Sequence, residues 1–215
     1  MIKLIVFDMD GTLTDTTRLI PAYVNKTLEH FGGKALPAKT ILSFVGFGGM
    51  DLLQKSLNEA NMKMTAEEVF PYYDSLFHAD PAYTVKPYEG VKEMLTALKE
   101  QGLRRIVFSN RPHHQTLMII DATLDGYLDE VYGHREGYPK KPDPTVLNAI
   151  MEENNCTKEE CLYVGDMQFD MDVAKNAGVR SVGCLWGIGG EEQVGCADFP
   201  IRRPLDILDV VNKLK

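Results

Sequence analysis

The sequence predicts an α/β protein, a parallel sheet flanked by helices, with a mainly helical segment inserted after the first strand. Three observations carry this. The chain opens on an unbroken apolar run, Leu4-Ile5-Val6-Phe7, as in a strand buried on both faces. From Arg105 onward, short apolar runs alternate with amphipathic stretches, the signature of a parallel sheet. Between these parts, over residues 16–85, the periodicity is helical.

In the inserted segment, Leu19, Tyr23, Thr27, Leu28 and Phe31 recur at three- and four-residue spacing up to the stop signal Gly32-Gly33. Leu52, Leu53 and Leu57 predict a second helix. Val69, Tyr72, Tyr73, Leu76 and Phe77 predict a third, with Pro71 near its start, where proline is tolerated. No strand is expected before Pro87, which marks the return of the chain to the sheet. Residues 1–15 and 86–215 therefore form one α/β core, and residues 16–85 a helical cap. In the core, Val91, Met94, Leu95 and Leu98 give one face of a helix ended by Gly102. Strands follow at Arg105–Phe108, Glu130–Tyr132, Cys161–Val164 and Arg180–Cys184, with helices at Pro144–Glu153, Asp170–Ala177 and Leu205–Leu214.

Composition narrows the function. At 215 residues, with 44% hydrophobic and 25% charged residues, the chain has ordinary globular usage. Its formal net charge of -8 repels polyanions, so nucleic acid is excluded as a partner, whereas a small phosphorylated metabolite bound beside a cation is not. The four cysteines show no zinc spacing and read as reduced thiols. No apolar stretch is long enough for a membrane span, which points to a cytoplasmic protein without membrane partners.

At Asp8 the apolar run stops. Asp8 and Asp10, followed by Gly11-Thr12, stand at the carboxyl end of the first strand, where open α/β sheets bind ligands. Residues two apart in extended backbone project to one side, so the two carboxylates can converge, and an all-oxygen donor set favours Mg2+ over zinc. A single Asp in this place is often only a turn former or cap; the pair in this context is more specific. IVFDMDGTLTD resembles the DxDGT motif of the haloacid dehalogenase superfamily.

Three later stretches carry the same resemblance. Ser109-Asn110 ends the second core strand, where a hydroxyl and helix-start N–H groups can donate to phosphoryl oxygens. Lys141, in Pro139-Lys140-Lys141-Pro142, can neutralise a phosphoryl group and a carboxylate together, with Lys140 a weaker competitor. Asp166, at the end of the fourth strand in VGDMQFD, can reach the same cation as Asp8 and Asp10, and Asp170 opens the next helix. In order and spacing these resemble the superfamily's second, third and fourth motifs, and the match is best with its phosphoglycolate phosphatase-like branch.

The resemblance implies a Rossmann-like core with a helical cap and a Mg2+-dependent phosphatase. Asp8 is its nucleophile and Asp10 its acid and base. Ser109, Asn110 and Lys141 hold the phosphoryl group, and Asp8, Asp10 (through its carbonyl) and Asp166 hold the metal. Asp170 orients Lys141 or a metal-bound water. The cap reads the organic part, and Arg18, Phe47 and Gly48 are its candidates, the last two in the glycine-rich loop Phe44–Met50. Arg111 stands where many relatives have Lys. Related sugar-phosphate mutases carry a His where this chain has Arg18-Leu19-Ile20. A phospho-receiver module would order its motifs differently, a dehalogenase would lack Asp10, and phosphonate cleavage would need a cap lysine, Lys26 or Lys55. The five histidines show no metal-ligand spacing and receive no role.

Overall fold

The computed structural model describes residues 1–214. Its strands are β1 (Leu4–Phe7), β2 (Thr14–Asp15), β3 (Lys86–Pro87), β4 (Arg104–Pro112), β5 (Glu130–His134), β6 (Cys161–Gly165), β7 (Arg180–Cys184) and β8 (Phe199–Ile201). Six of them form one sheet of order β5-β4-β1-β6-β7-β8, with every pairing parallel. β1 is central, which is why all four of its residues are apolar. Ile5 and Phe7 join one buried cluster with Leu95 and Leu98 of helix α5 (Val91–Glu100) and Ile119 of α6 (His113–Leu124). Leu4 and Val6 join the opposite cluster with Leu147 and Ile150 of α7 (Thr145–Glu153) and Val173 of α8 (Gln168–Ala177). α9 (Gly190–Val194) and α10 (Ile207–Lys213) complete the helices around the sheet.

Between β2 and β3 the chain makes four helices, α1 (Leu19–His30), α2 (Ala38–Leu42), α3 (Gly49–Glu59) and α4 (Ala66–Ala79). Their apolar faces meet one another. Tyr23 of α1 packs edge-on against Phe77 of α4 at 5.0 Å between ring centres, and Leu53 and Leu57 of α3 are fully buried. The two ends of this helical segment are paired: Thr14 lies opposite Pro87 and Asp15 opposite Lys86 in an antiparallel ribbon.

The differences from the sequence reading have local causes. Two-residue strands such as β2 and β3 leave no alternation to detect, and α2, five residues long, is too short to show a helical period. In α6 the consecutive Leu117, Met118, Ile119 and Ile120 mask the helical periodicity. β8 holds Pro200, and a proline demotes a candidate strand; as an edge strand it tolerates one. Pro71 lies inside α4, at its sixth position rather than near its start, and removes one hydrogen bond of that helix. No helix among the described residues is long and apolar enough to cross a membrane.

Candidate active site

Register builds the site. Phe7 is aligned with Val107 of β4 and Val164 of β6, so three neighbouring strands bring Asp8, Ser109 and Asp166 to one edge of the sheet. Beyond that level β4 continues to Pro112, with an irregularity against β5 between Phe108 and Pro112 that carries Ser109, Asn110 and Arg111 over the end of β1. A cavity of about 40 Å³, lined by Asp8, Asp10, Ser109, Arg111, Gly46 and Gly48 among others, opens above them.

Lys141 is buried beneath Asp8. Its Nζ lies 2.9 Å from Asp8 Oδ1 and 2.7 Å from Asp170 Oδ1, and donates to the Tyr163 hydroxyl at 2.9 Å. The rings of Phe108, Tyr163 and Phe169 stand around it at 5.6, 5.6 and 5.1 Å. Its backbone is held by Asn110, whose Oδ1 accepts from the Lys141 N–H at 2.8 Å and whose Nδ2 donates to the Lys141 carbonyl at 3.1 Å. Burial alone would lower the Lys141 pKa, but Asp170 and Asp8 outweigh it and raise it, so the ammonium is a fixed charge.

The carboxylates that converge are those of Asp8, Asp166 and Asp170. Asp166 accepts from the Thr12 hydroxyl at 2.9 Å and from the Ile188 N–H at 2.7 Å. Asp170 accepts from the N–H groups of Asp166 and Met167 at 3.2 and 3.1 Å. Asp8 differs: its Oδ1 is buried without a hydrogen bond, because the Lys141 contact is at ion-pair distance but outside hydrogen-bond geometry. Three carboxylates against one ammonium leave the cluster short of positive charge. Burial accordingly pushes the Asp8 carboxyl up to about 7, with Lys141 pulling against the shift and Asp170 and Asp10 adding to it. Burial, Asp170 and Asp8 push Asp166 well up. An all-oxygen donor set and a missing positive charge fit a divalent cation. Gly11 belongs to the same cradle: at φ +83° a Cβ there would lie 2.2 Å from Asp166 Oδ2.

The sequence profile of the haloacid dehalogenase-like hydrolase family matches residues 5–184. The chain belongs to that family. It is 30% identical to a phosphoglycolate phosphatase of Aquifex aeolicus over 98% of this chain and 97% of the other. It is equally 30% identical to the pyrophosphatase PpaX of Listeria innocua, again over 98% and 97% of the two chains. A predicted phosphoglycolate phosphatase of Haemophilus somnus, 24% identical, shares the fold with a TM-score of 0.91 over 98% of both chains. CbbY from Rhodobacter sphaeroides in complex with phosphate, 20% identical, aligns at 0.82 over 96% of both.

The remaining residues of this hydrolase fall as follows. Asp10 does not add its carboxylate to Asp8 and Asp166 as its extended spacing suggested. Gly11 turns the backbone, and the Asp10 side chain meets Arg111, with Nε to Oδ2 at 2.9 Å and Nη2 to Oδ1 at 3.0 Å. The Asn110 side chain, expected on the phosphoryl group, is engaged with Lys141 and with the Gly46 carbonyl at 2.9 Å. That bond ties the loop Phe44–Met50 to the core; Gly48 lines the cavity, while Phe47 is 46% exposed with its ring 6.0 Å from that of Phe169. Lys140 donates to the Phe47 carbonyl at 2.8 Å, a loop contact away from Asp8. Arg18 is exposed at the start of α1 and does not line the cavity. Sequence reasoning missed Thr12, Tyr163 and Gln115, each chemically ordinary where it stands; their partners come from other elements. His78 and His114, with no shared spacing, both face Asp74, at 3.6 and 2.6 Å.

The raised Asp8 value has a measurable sign. A carboxyl whose folded pKa exceeds its unfolded one contributes its stability fully below the unfolded value and loses it as pH rises through the folded value. For Asp8 the loss runs from 3.8 up to about 7. In chelator, the stability of the wild type relative to Asp8→Asn, read from melting temperatures, is expected to fall between about pH 4 and pH 7.5 by up to about 4 kcal/mol. Saturating Mg2+ should flatten the difference; parallel curves in chelator would contradict the burial argument.

Proposed function

We propose that this hydrolase is a Mg2+-dependent phosphatase that cleaves a small phosphate monoester, phosphoglycolate first among the candidates, through an aspartyl-phosphate on Asp8. One observation carries the reading: the Asp8 carboxyl group lines the cavity while its Oδ1 is held 2.9 Å from the buried Lys141 ammonium. A carboxylate anchored in this way at a cavity wall can present its other oxygen to phosphorus. Lys141 offsets charge on Asp8 and on the incoming phosphoryl group, and Asp170 and Tyr163 hold Lys141 in place. Ser109, buried at the cavity wall, supplies a hydroxyl toward the phosphoryl oxygens. Asp10 protonates the leaving oxygen and then takes a proton from the attacking water. Asp8, Asp166 and the Asp10 backbone carbonyl would hold Mg2+, which supplies charge neutralisation between nucleophile and phosphoryl oxygens.

The organic part is read by residues 16–85, acting as a lid through the Gly46–Gly49 turn. Ile20 lines the cavity in the stretch where mutase relatives carry a His, and an alkyl chain relays no proton; hydrolysis is favoured over phosphoryl shuttling. The names of the relatives supply the first compounds to try. Phosphate release with Mg2+ should be greatest from phosphoglycolate or pyrophosphate in a panel that also holds sugar phosphates and nucleotides. Release from none of them would refute the reading.

A further inference from the structure

Asp10 and Arg111 make a two-pronged ion pair at the cavity wall, largely shielded from solvent: Arg111 is 7% exposed. Arg111 is also braced from behind. Its Nη1 donates to Gln115 Oε1 at 3.2 Å, Gln115 Nε2 donates to Asp74 Oδ1 at 2.7 Å, and the Phe77 ring lies 5.2 Å from the guanidinium carbon. The braces come from α4 and α6, so the guanidinium plane is set by both the inserted helices and the core. The charged residues lining the cavity are Asp8, Asp10 and Arg111, and Arg111 is the single cation among them.

Two consequences follow from this arrangement. While both oxygens of Asp10 are held by Arg111, that carboxylate is unavailable to a leaving group. And the one cationic fork facing the cavity is already occupied by a carboxylate, the shape that a substrate carboxylate or second phosphoryl group would present. We infer that Arg111 is the subsite for a second anionic group on the substrate, and that this group takes Arg111 in exchange for Asp10, freeing Asp10 for acid and base work. This rests on the phosphatase reading above.

The proton account closes. Released from Arg111, Asp10 takes one proton from water. As the Asp8 oxygen–phosphorus bond forms and the bond from phosphorus to the leaving oxygen breaks, Asp10 gives that proton to the leaving oxygen. In the second step water attacks phosphorus, its proton goes to Asp10, and the bond from phosphorus to Asp8 breaks. Asp10 returns the proton to solvent when product leaves and the pair with Arg111 re-forms. A substrate with a neutral organic part brings nothing to displace Asp10 and turns over slowly.

The test compares phosphoglycolate with 2-hydroxyethyl phosphate, which differs by carrying a hydroxymethyl group in place of the carboxylate. Wild type is expected to prefer phosphoglycolate by roughly 10²-fold or more in kcat/KM. Arg111→Met should abolish the preference by lowering kcat/KM for phosphoglycolate far more than for the neutral ester. Arg111→Lys keeps the charge without the fork and should lose at least about tenfold of the preference, so it carries the test if the Met variant does not fold. Equal losses for both esters, or a preference that survives in the variants, would overturn the inference. Wild type that hydrolyses both esters equally removes the Arg111 subsite and leaves the phosphatase reading standing; wild type that hydrolyses neither ester nor any other compound of the panel removes both.

Discussion

Asp8→Asn is expected to lower kcat by roughly 10⁴-fold or more, because an amide oxygen is a poor nucleophile toward phosphorus and the other carboxylate lining the cavity, Asp10, is engaged with Arg111. Asp166 and Asp170 cannot substitute: their oxygens accept from Thr12, Ile188, Met167 and Lys141 and neither lines the cavity. The substitution is nearly isosteric and removes one of three crowded negative charges. The folded variant should therefore melt no lower than wild type in chelator at neutral pH. Steady-state phosphate release beside a thermal melt checks both halves, and activity within about tenfold of wild type would assign the nucleophile to another residue.

Lys141→Ala has the second largest expected effect, and it falls on stability as well as rate. Removing one partner of a buried ion pair typically costs about 3–5 kcal/mol, because the remaining charge stays desolvated. Here Asp8 and Asp170 are both left, and the slot between the rings of Phe108, Tyr163 and Phe169 is emptied. Urea denaturation in chelator should show the full loss, with part of it recovered when Mg2+ is added. The rate should drop about 10²–10³-fold even at saturating Mg2+, since the fixed charge beside the phosphoryl group is gone. An unchanged urea midpoint would show that Lys141 is not the counter-charge of the cluster.

The sheet core was legible because its signals are local. Leu4–Phe7 and Cys161–Gly165 are apolar runs stopped by turn residues, and each is a strand. The meeting of Asp8, Asp166 and Lys141 followed from motif order at strand ends, which the resemblance supplied. What stayed hidden depends on side-chain direction across elements. Alternation in a strand puts Asp8 and Asp10 on one side, where both line the cavity, but only the fold shows that Arg111 takes both Asp10 oxygens. Asn110 has polar capacity on both ends of its amide, and only the fold shows that the Gly46 carbonyl and the Lys141 backbone occupy it. Arg111 carried the least sequence signal for its position, because its partners Asp10 and Gln115 lie 101 and 4 residues away on different elements.

The central place of β1 bears on how the chain is made. β1 lies between Arg104 and Cys161 in register, so neither neighbour exists when Leu4–Phe7 has been synthesised. At about 5–20 residues per second, the strand's second edge waits about 8–30 s for β6. Until β4 is made the most apolar strand of the sheet has two open edges on a nascent chain, and from then until β6 arrives it has one; the four inserted helices, whose contacts are shorter in range, are complete long before it is sandwiched. The residues that end in the active site are thus fixed late, when β6 arrives and brings Asp166 to Asp8.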